Sequence, residues 1–200
     1  MRTRSPWHEE YLRRPREYIW GQQPSALARR LAQLLPPQAR ILELGCGEGR
    51  DSVFFAGRGF RVTAVEASSA GLTKAERFAE EQQVSVRWVQ GDMAEVDLDG
   101  SYELVYSLGT VHYVERSRRR TLFGRLQALS PPGGYQAHLV FTDASVYPEK
   151  GEVIDYFRPG ELPRLFLGWP IIAAETGLIS CAQDGRPHQH SVEQIIVEAP

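Results

Sequence analysis

The segment 41–50, ILELGCGEGR, holds the residues best suited to bind a small ligand. Gly45, Gly47 and Gly49 alternate with other residues directly after a short apolar run. Glycine adopts positive φ angles without steric cost and lets a ligand come close to the backbone. A helix that starts here would add free N–H groups and the positive end of its dipole. Three alternating glycines exceed what a strand-to-helix turn needs, so the pattern predicts a ligand-binding turn.

Two acidic residues define the expected ligand further. Glu66 ends the next predicted strand, about 20 residues after Gly45, where a carboxylate accepts hydrogen bonds from both hydroxyls of an adenosine ribose. Nicotinamide cofactors use the same carboxylate, so the glycine spacing has to separate the two classes. Dinucleotide folds need G-x-G-x-x-G, whereas the third glycine here comes one place early. Glu43 lies beneath the turn instead, where it can hold an amino group directly or through water.

These motifs together resemble those of the class I S-adenosylmethionine-dependent methyltransferases. ELGCGEG is similar to their first motif, VTAVEAS to their ribose-binding strand end and VQGDM to their adenine site. The resemblance covers roughly residues 25–145. It implies S-adenosyl-L-methionine as cofactor and S-adenosyl-L-homocysteine as product. It implies cofactor contacts from Glu43, Gly45, Cys46, Gly47, Gly49, Arg50, Asp51, Glu66, Ala67, Asp92 and Met93.

The whole chain is also similar to the small tellurite-resistance (TehB-like) methyltransferases. LELGCGEGRDSVFFAGRGFRVTAVEAS matches their core, and YFRPGELPRLFLGW, AAETG and a final hairpin match their C-terminal layout. The best-known members carry a histidine soon after the strand that contains AAETG, where this chain has LISCAQ. The resemblance implies a small-molecule acceptor, such as a thiol, a chalcogen oxyanion or a xenobiotic. An O- or N-methyltransferase of a small metabolite and a non-catalytic cofactor-binding regulator are the alternatives.

The acceptor side is expected near the segment SLGTVHYV, which follows the fourth predicted strand. Ser107, Leu108 and Gly109 are expected to line the methionine part of the cofactor. His112 and Tyr113 would then point towards the acceptor, and a packed aromatic pair is the alternative.

His188 and His190 are two residues apart, so on a strand they would share one face. An acceptor-side catalytic role and a solvated hairpin position are both open. A metal would need a third ligand, which the sequence does not single out, so we predict no metal site. Cys181 is expected to serve packing.

The N-terminal aromatic residues could close over the cofactor. We assign Trp20 to this role, with Trp7 and Tyr18 as further candidates, and ordinary helix packing is the alternative.

Strands and helices alternate up to about residue 143, which predicts a Rossmann-like doubly wound α/β sheet with helices on both faces. The sheet is expected to be mostly parallel, with an antiparallel C-terminal hairpin. PSALARRLAQLLPP reads as a helix and CAQDGRPHQH as a long hairpin loop. We predict a single domain over residues 1–200, with a cap segment (1–24), a cofactor-binding core (25–145) and an acceptor-side region (146–200).

Composition limits the partners. The 200 residues carry 23 Lys+Arg and 25 Asp+Glu, a formal net charge of -2, which gives no overall basic field for nucleic acid. The basic run RSRRR (116–120) reads as a solvated helix face. Two cysteines make no disulfide framework, and the sequence shows neither a signal-peptide pattern nor a membrane span. We expect a cytoplasmic monomer or homodimer that acts without nucleic acid or membrane.

Overall fold

The computed structural model describes residues 7–145, 147, 154–183 and 185–200. Strands and helices mostly alternate as far as the fifth strand, and two long strands end the chain. The elements are α1 (His8–Arg13), α2 (Ala26–Leu31), β1 (Arg40–Leu44), α3 (Arg50–Gly57), β2 (Arg61–Glu66), α4 (Ser69–Glu81), β3 (Arg87–Gln90), β4 (Leu104–Leu108), a 3₁₀ helix (Val111–Tyr113), α5 (Arg116–Ala128), β5 (Tyr135–Thr142), α6 (Glu161–Arg164), β6 (Ile171–Cys181) and β7 (His188–Glu198).

The strands make one seven-stranded mixed sheet in the order β3-β2-β1-β4-β5-β7-β6. β1 with β2, β2 with β3 and β4 with β5 are parallel pairs, whereas β7 runs antiparallel to both β5 and β6. The predicted Rossmann-like sheet with an antiparallel C-terminal hairpin is therefore confirmed.

The chain divides into two compact units, Met1–Leu98 and Asp99–Pro200. In the first unit, β1 and β2 are buried apart from their first residues, as expected of inner parallel strands, and their buried residues are mostly apolar. The strand ends align, because Leu44 pairs with Val65 and Glu66 pairs with Gln90. The predicted ligand-binding segments after these strands therefore meet at one edge of this unit.

In the second unit, β7 lies between β5 and β6 and is mostly buried. β6 is an edge strand whose residues are almost all exposed. The prediction that the RSRRR run forms a solvated helix face is wrong for Arg119. Arg119 is only 1% exposed, its guanidinium lies 3.7 Å from the centroid of the Phe157 ring, and its Nη1 donates to Glu161 at 2.9 Å.

Two predicted elements differ from the structure. The helix expected over PSALARRLAQLLPP spans only Ala26–Leu31, because i→i+3 bonds from Gln33 and Leu34 tighten the following turn and end it. The expected hairpin loop CAQDGRPHQH is also shorter. β6 extends to Cys181 and β7 begins at His188, so the loop retains only residues 182–187 and both histidines are in the sheet.

Within the described residues, no helix has the length and apolar character that crossing a membrane requires.

Candidate functional site

The glycine turn, residues 45–49, has the backbone conformation that its sequence predicts. Gly45, Gly47 and Gly49 have φ angles of 69°, 55° and 81°, values that side chains other than glycine rarely allow. The N–H groups of Gly45 and Cys46 both donate to the Val65 carbonyl, at 2.8 and 3.0 Å. The turn is therefore anchored to the end of β2 before α3 begins.

The second and third glycines also make room for close neighbours. A β-carbon at Gly49 would lie 2.7 Å from Ala75 Cβ on α4, so this glycine serves helix packing. A β-carbon at Gly47 would lie 2.9 Å from the Tyr11 hydroxyl. The sequence motif therefore combines a backbone requirement with two steric ones.

Glu66, the predicted ribose partner, organises the backbone around the turn. Its carboxylate accepts hydrogen bonds from the N–H of Gly47 at 3.0 Å and of Ser68 at 2.8 Å. Burial raises the pKa of this carboxyl group, and the backbone donors lower it in part. Each carboxylate oxygen can accept more than one hydrogen bond, so the ribose role stays a prediction while a structural role is visible.

Glu43 lies in β1, two residues before the turn, and is 4% exposed. The hydroxyl of Ser52 on α3 donates to its carboxylate. Burial raises the pKa of Glu43 to about 8, and the nearby Asp51 carboxylate adds to the increase. Asp51 in turn accepts a hydrogen bond from the N–H of Ser25 at 2.7 Å, which ties the start of α3 to the cap of α2.

The N-terminal segment contacts the turn directly, while the closing of Trp20 over the cofactor stays a prediction. The backbone N–H of Trp20 donates to Glu48 at 3.1 Å, and its indole N–H donates to the Tyr11 hydroxyl at 3.2 Å. Trp7 stacks edge-on against Trp20 with ring centroids 4.6 Å apart. Burial raises the pKa of Tyr11, and the neighbouring Glu66 adds to the increase. Together these residues cover the glycine turn.

Tyr18 has a different position and packs on α4. Its ring lies 5.2 Å from Phe78, and its hydroxyl accepts a bond from Arg77 at 3.3 Å. Tyr18 therefore fits ordinary helix packing, which was the alternative to a role over the cofactor.

The remaining predicted cofactor contacts of the first unit follow β1, β2 and β3 along the chain. Arg50 donates to the Trp20 carbonyl at 3.1 Å. Asp92 follows β3 and accepts a bond from the N–H of Ala94 at 2.8 Å, so its side chain also closes its own turn. Ala67 and Met93 directly follow Glu66 and Asp92, at the ends of β2 and β3. Burial and the carboxylates of the turn raise the pKa of the Cys46 thiol.

The second unit holds Ser107, Leu108 and Gly109 at the end of β4. Ser107 is fully buried, and its hydroxyl lies 2.7 Å from Nδ1 of His138 on the neighbouring strand. Burial lowers the pKa of His138 to about 3, so that ring is neutral. The N–H of Gly109, at a φ angle of 66°, donates to Leu139. The side chain of Ser107 is thus bonded within this unit.

His112 lies in the 3₁₀ helix after β4 and is fully buried. Its ring stacks on Phe141 at 4.2 Å, and its Nδ1 accepts a long hydrogen bond from the Phe141 N–H at 3.4 Å. The neutral ring therefore carries its proton on Nε2. Among the described residues, Nε2 has no hydrogen-bond partner. Burial lowers the pKa of His112 well below its ordinary value, and His190 and Arg119 lower it further.

Tyr113, the other predicted acceptor-side residue, lies next to His112 with ring centroids 4.6 Å apart. It packs against the cluster of Phe141, Ile154 and Tyr156. The predicted aromatic pair therefore exists.

His188 and His190 lie side by side on β7, with their Nε2 atoms 2.8 Å apart. His190 is fully buried and stacks on Phe141 at 4.0 Å. The reading of both residues as solvated hairpin histidines is therefore wrong for His190. Cys181 pairs with His188 across the two strands, and the three side chains offer ligand atoms within 4.8 Å of one another. Cys181 is thus a candidate for the third metal ligand, which the sequence did not single out.

Sequence reasoning missed four residues of these sites: Tyr11, Glu48, Ser52 and His138. Glu48 is 1% exposed and pairs with Lys74, but a glutamate between two glycines gives no sign of burial. Ser52 could have been found, because a residue two places into a helix after a glycine turn faces the strand that precedes the turn. Tyr11 and His138 depend on tertiary contacts.

Comparison with known proteins gives a family match, curated relatives and solved structures of the same fold. Residues 41–134 match the family described as a methyltransferase domain. Hemagglutinin 1 of Eikenella corrodens is 25% identical over 175 residues, which is 86% of this chain and 58% of that protein. The chain spans between 26% and 58% of the first curated relatives it matches.

Solved structures show the same fold. TehB from Haemophilus influenzae superposes with a TM-score of 0.79 at 16% identity, over 88% of this chain and 62% of that one. The N-methyltransferase NodS from Bradyrhizobium japonicum, in complex with S-adenosyl-L-homocysteine, has a TM-score of 0.72 at 15% identity, over 98% of this chain and 100% of that one.

Proposed function

We propose that this chain, a class I S-adenosylmethionine-dependent methyltransferase that resembles TehB, methylates a small anionic acceptor. The proposal has two parts, which are the cofactor and the acceptor. Each part depends on a group of buried polar side chains in one of the two units. S-adenosyl-L-methionine is supported by the glycine turn, and the acceptor class is inferred from His112.

The charge around the glycine turn supports a cationic ligand. Glu43, Glu48, Asp51 and Glu66 are all less than a tenth exposed. Lys74 pairs with Glu48, and Arg50 lies 3.5 Å from Asp51. Among the described residues, Glu43 and Glu66 form no ion pair, and the pKa of each is raised. A ligand that carries an ammonium and a sulfonium would offset both carboxylates.

The residues of the turn fit S-adenosyl-L-methionine in kind. Glu66 would hold the ribose hydroxyls, Glu43 the amino group, and the Gly47 backbone has no side chain to obstruct a ligand. When bound, this cofactor supplies a methyl carbon on a sulfonium, which an acceptor lone pair displaces. The protein's own contribution is orientation and exclusion of water, since the leaving group is already good.

His112 carries the acceptor part of the proposal. The Nε2–H group is buried without a partner in the described chain, and a buried donor without a partner costs about 1–3 kcal/mol. An anionic acceptor such as a thiolate, carboxylate or oxyanion would accept this hydrogen bond. The neutral ring would thereby position the nucleophile, while Tyr113 would pack beside it. A general-base role would need the other tautomer, with the proton on Nδ1 facing the Phe141 N–H.

Calorimetry tests the cofactor part. S-adenosyl-L-methionine and S-adenosyl-L-homocysteine should both bind, and NAD⁺ and NADH should not. Binding of a nicotinamide nucleotide without either sulfur ligand would refute the proposal. Because Glu43 should lose its proton when a cation binds near it, the binding enthalpy at pH 7 should also depend on the ionisation enthalpy of the buffer.

Turnover tests the acceptor part. Release of S-adenosyl-L-homocysteine should be followed with panels of small thiols, carboxylates, phenols, amines and chalcogen oxyanions. We expect activity among acceptors that are anionic near pH 8. Cofactor binding without turnover on any panel would instead support the non-catalytic regulator, and turnover confined to amines would refute the anionic class.

A further inference from the structure

The geometry points to a transition-metal site of the zinc class at the hairpin cluster, by which we mean Cys181, His188 and His190. The three residues lie where β6 ends and β7 begins, in the second unit. Their ligand atoms lie within 4.8 Å of one another. One thiolate and two imidazoles are a ligand set that Zn²⁺ prefers in proteins.

Strand register brings the three ligands to one face. Cys181 pairs directly with His188 in the antiparallel β6–β7 ladder, and directly opposed residues point to the same side of a sheet. His190 is two residues further along β7, so it shares that side. The cluster therefore does not depend on the conformation of the loop between the strands.

Hydrogen bonding prepares His188 to donate a lone pair. Its Nδ1 lies 2.6 Å from the Arg186 carbonyl, so Nδ1 carries the proton and Nε2 does not. Histidines that bind metals in proteins typically have this arrangement, in which the second ring nitrogen donates to a carbonyl oxygen. Nε2 of His188, which carries no proton, faces Nε2 of His190 at 2.8 Å. Tetrahedral zinc with bonds of about 2.0–2.1 Å needs these atoms about 3.3 Å apart, an opening of roughly half an ångström.

Ring stacking fixes both imidazole planes. Tyr147 stacks on His188 with centroids 3.5 Å apart and planes 4° from parallel. Phe141 stacks on His190 at 4.0 Å and 17°. The ligands are thus held before any ion arrives, which reduces the ordering that binding requires.

One coordination position faces solvent. Cys181 and His188 are half-buried and line a cleft of about 460 Å³, whereas His190 is fully buried. Three protein ligands with an open fourth position are typical of zinc sites that bind water or an exogenous ligand. In the described structure, the Cys181 thiol lies 2.7 Å from Oε1 of Gln183, to which it donates. Ion binding would replace the thiol proton, which leaves to solvent, and would move the His190 proton from Nε2 to Nδ1, so that both imidazoles ligate as neutral rings.

Direct metal titration tests the site. The purified full chain, stripped with a chelator and dialysed, is titrated with Zn²⁺ against a chromophoric chelator and separately with Co²⁺. We expect one equivalent to bind, and Co²⁺ to give a thiolate-to-metal charge-transfer band with the intense visible bands of tetrahedral coordination. Zn²⁺ should also raise the melting temperature. None of these measurements uses methyl transfer, so the result is independent of the proposed function.

Variants assign the ligands. The partly exposed Cys181 and His188 can be replaced with little risk to folding, so Cys181→Ser should remove the charge-transfer band. His188→Ala should weaken Zn²⁺ at least about 100-fold, since even outer partners of metal ligands are worth about 10–100-fold. Two control variants should keep both the charge-transfer band and the affinity for Zn²⁺. They are Cys46→Ala, at the other cysteine of the chain, and Ser180→Ala, beside Cys181. The inference is overturned if the wild type binds no ion, or if the band survives Cys181→Ser. In that case the cluster is only an N–H···N hydrogen bond beside a half-buried thiol.

Discussion

The glycine turn and the histidine residues of the second unit are built in opposite ways. In the turn, Glu66 binds backbone N–H groups, and the turn N–H groups bind a backbone carbonyl. In the second unit, His112 and His190 both stack on the ring of Phe141, and the rings are held mainly by contacts with other side chains. The turn uses residues close in sequence, whereas the rings come from segments 112, 141 and 190. A site built on backbone is visible as a motif, and a site built by strand register is not.

The two regions also differ in charge. The turn buries carboxylates whose pKa values are raised, and the second unit buries imidazoles whose pKa values are lowered. In both regions burial favours the neutral form of the group. A cation bound in the first region would favour the charged carboxylates that burial disfavours. The second region offers a neutral N–H donor to an anion.

Replacing His112 should have the largest effect. His112→Ala removes the unpartnered Nε2–H donor, so we expect kcat to fall by about 10²-fold because the acceptor is no longer held in line with the methyl carbon. The affinity for S-adenosyl-L-homocysteine should not change. Steady-state kinetics on any acceptor found, with calorimetry for the product, measure the two quantities.

Conservative changes separate the possible roles of the ring. His112→Gln retains an N–H donor and should recover part of kcat, whereas a general base would not be rescued. With a thiol acceptor, a base defect would shrink between pH 7 and pH 9, because the thiolate then forms unaided. If Tyr113→Phe rather than His112→Ala removes activity, the acceptor contact belongs to the phenol instead.

Replacing Glu66 should have an intermediate effect on binding and a cost in stability. Glu66→Ala removes the acceptor for two buried N–H groups and for the predicted ribose hydroxyls. We expect the cofactor to bind about 1.5–3 kcal/mol more weakly. The free energy of unfolding should fall by about 1–3 kcal/mol for the donors left unpaired. Calorimetry and urea denaturation measure these changes.

Glu193 provides a matched control in the other unit. It is also buried, and its carboxylate accepts bonds from the N–H groups of Gly160 and Leu162. Glu193→Ala should lose stability to a similar degree and keep cofactor affinity. If both variants weaken the cofactor equally, the effect of Glu66 is general destabilisation and the ribose role is lost.

The last prediction concerns stability alone and follows from the pH dependence that Glu43 imposes on it. Its pKa is about 8 in the folded protein and about 4.5 when unfolded, so the folded state binds the proton more tightly. The stability from this proton is complete below pH 4.5 and is lost as pH rises through 8. Relative to Glu43→Gln, the wild type should lose up to about 1.4 kcal/mol per pH unit across that window.

Urea denaturation of both proteins at several pH values between 5 and 9 measures this difference. Glu43→Gln keeps an acceptor for the Ser52 hydroxyl, so the comparison isolates the charge. Parallel stability curves for the two proteins would show that Glu43 titrates at its ordinary pKa.

Much of the first unit could be predicted from sequence, and the reason is local. The glycine pattern fixes three φ angles, and the position of Glu66 follows from the length of one strand–helix–strand passage. The N-cap of α4 was also predictable, because serine is preferred at that position. The side chain of Ser68 accepts a hydrogen bond from the Gly71 N–H there. These features depend on residues within about one βαβ unit.

The second unit was less predictable, because its contacts depend on register. Cys181 and His188 looked like loop residues, since Gly185 and Pro187 mark a turn, but the strands extend to both of them. A sequence does not show which residue of β6 opposes which residue of β7. It also gave no sign that Arg119 lies over an aromatic ring, because a run of arginines normally indicates a solvated face.

The covering of the glycine turn by Trp20 and Tyr11 gives the protein an optical signal of its own. Trp7, Trp20 and Trp88 belong to the first unit, and Trp169 alone belongs to the second. Indole emission therefore reports chiefly on the surroundings of the turn. A ligand that displaces the Tyr11 hydroxyl from Trp20 would change the intensity and wavelength of that emission, so binding at the turn can be followed without any label.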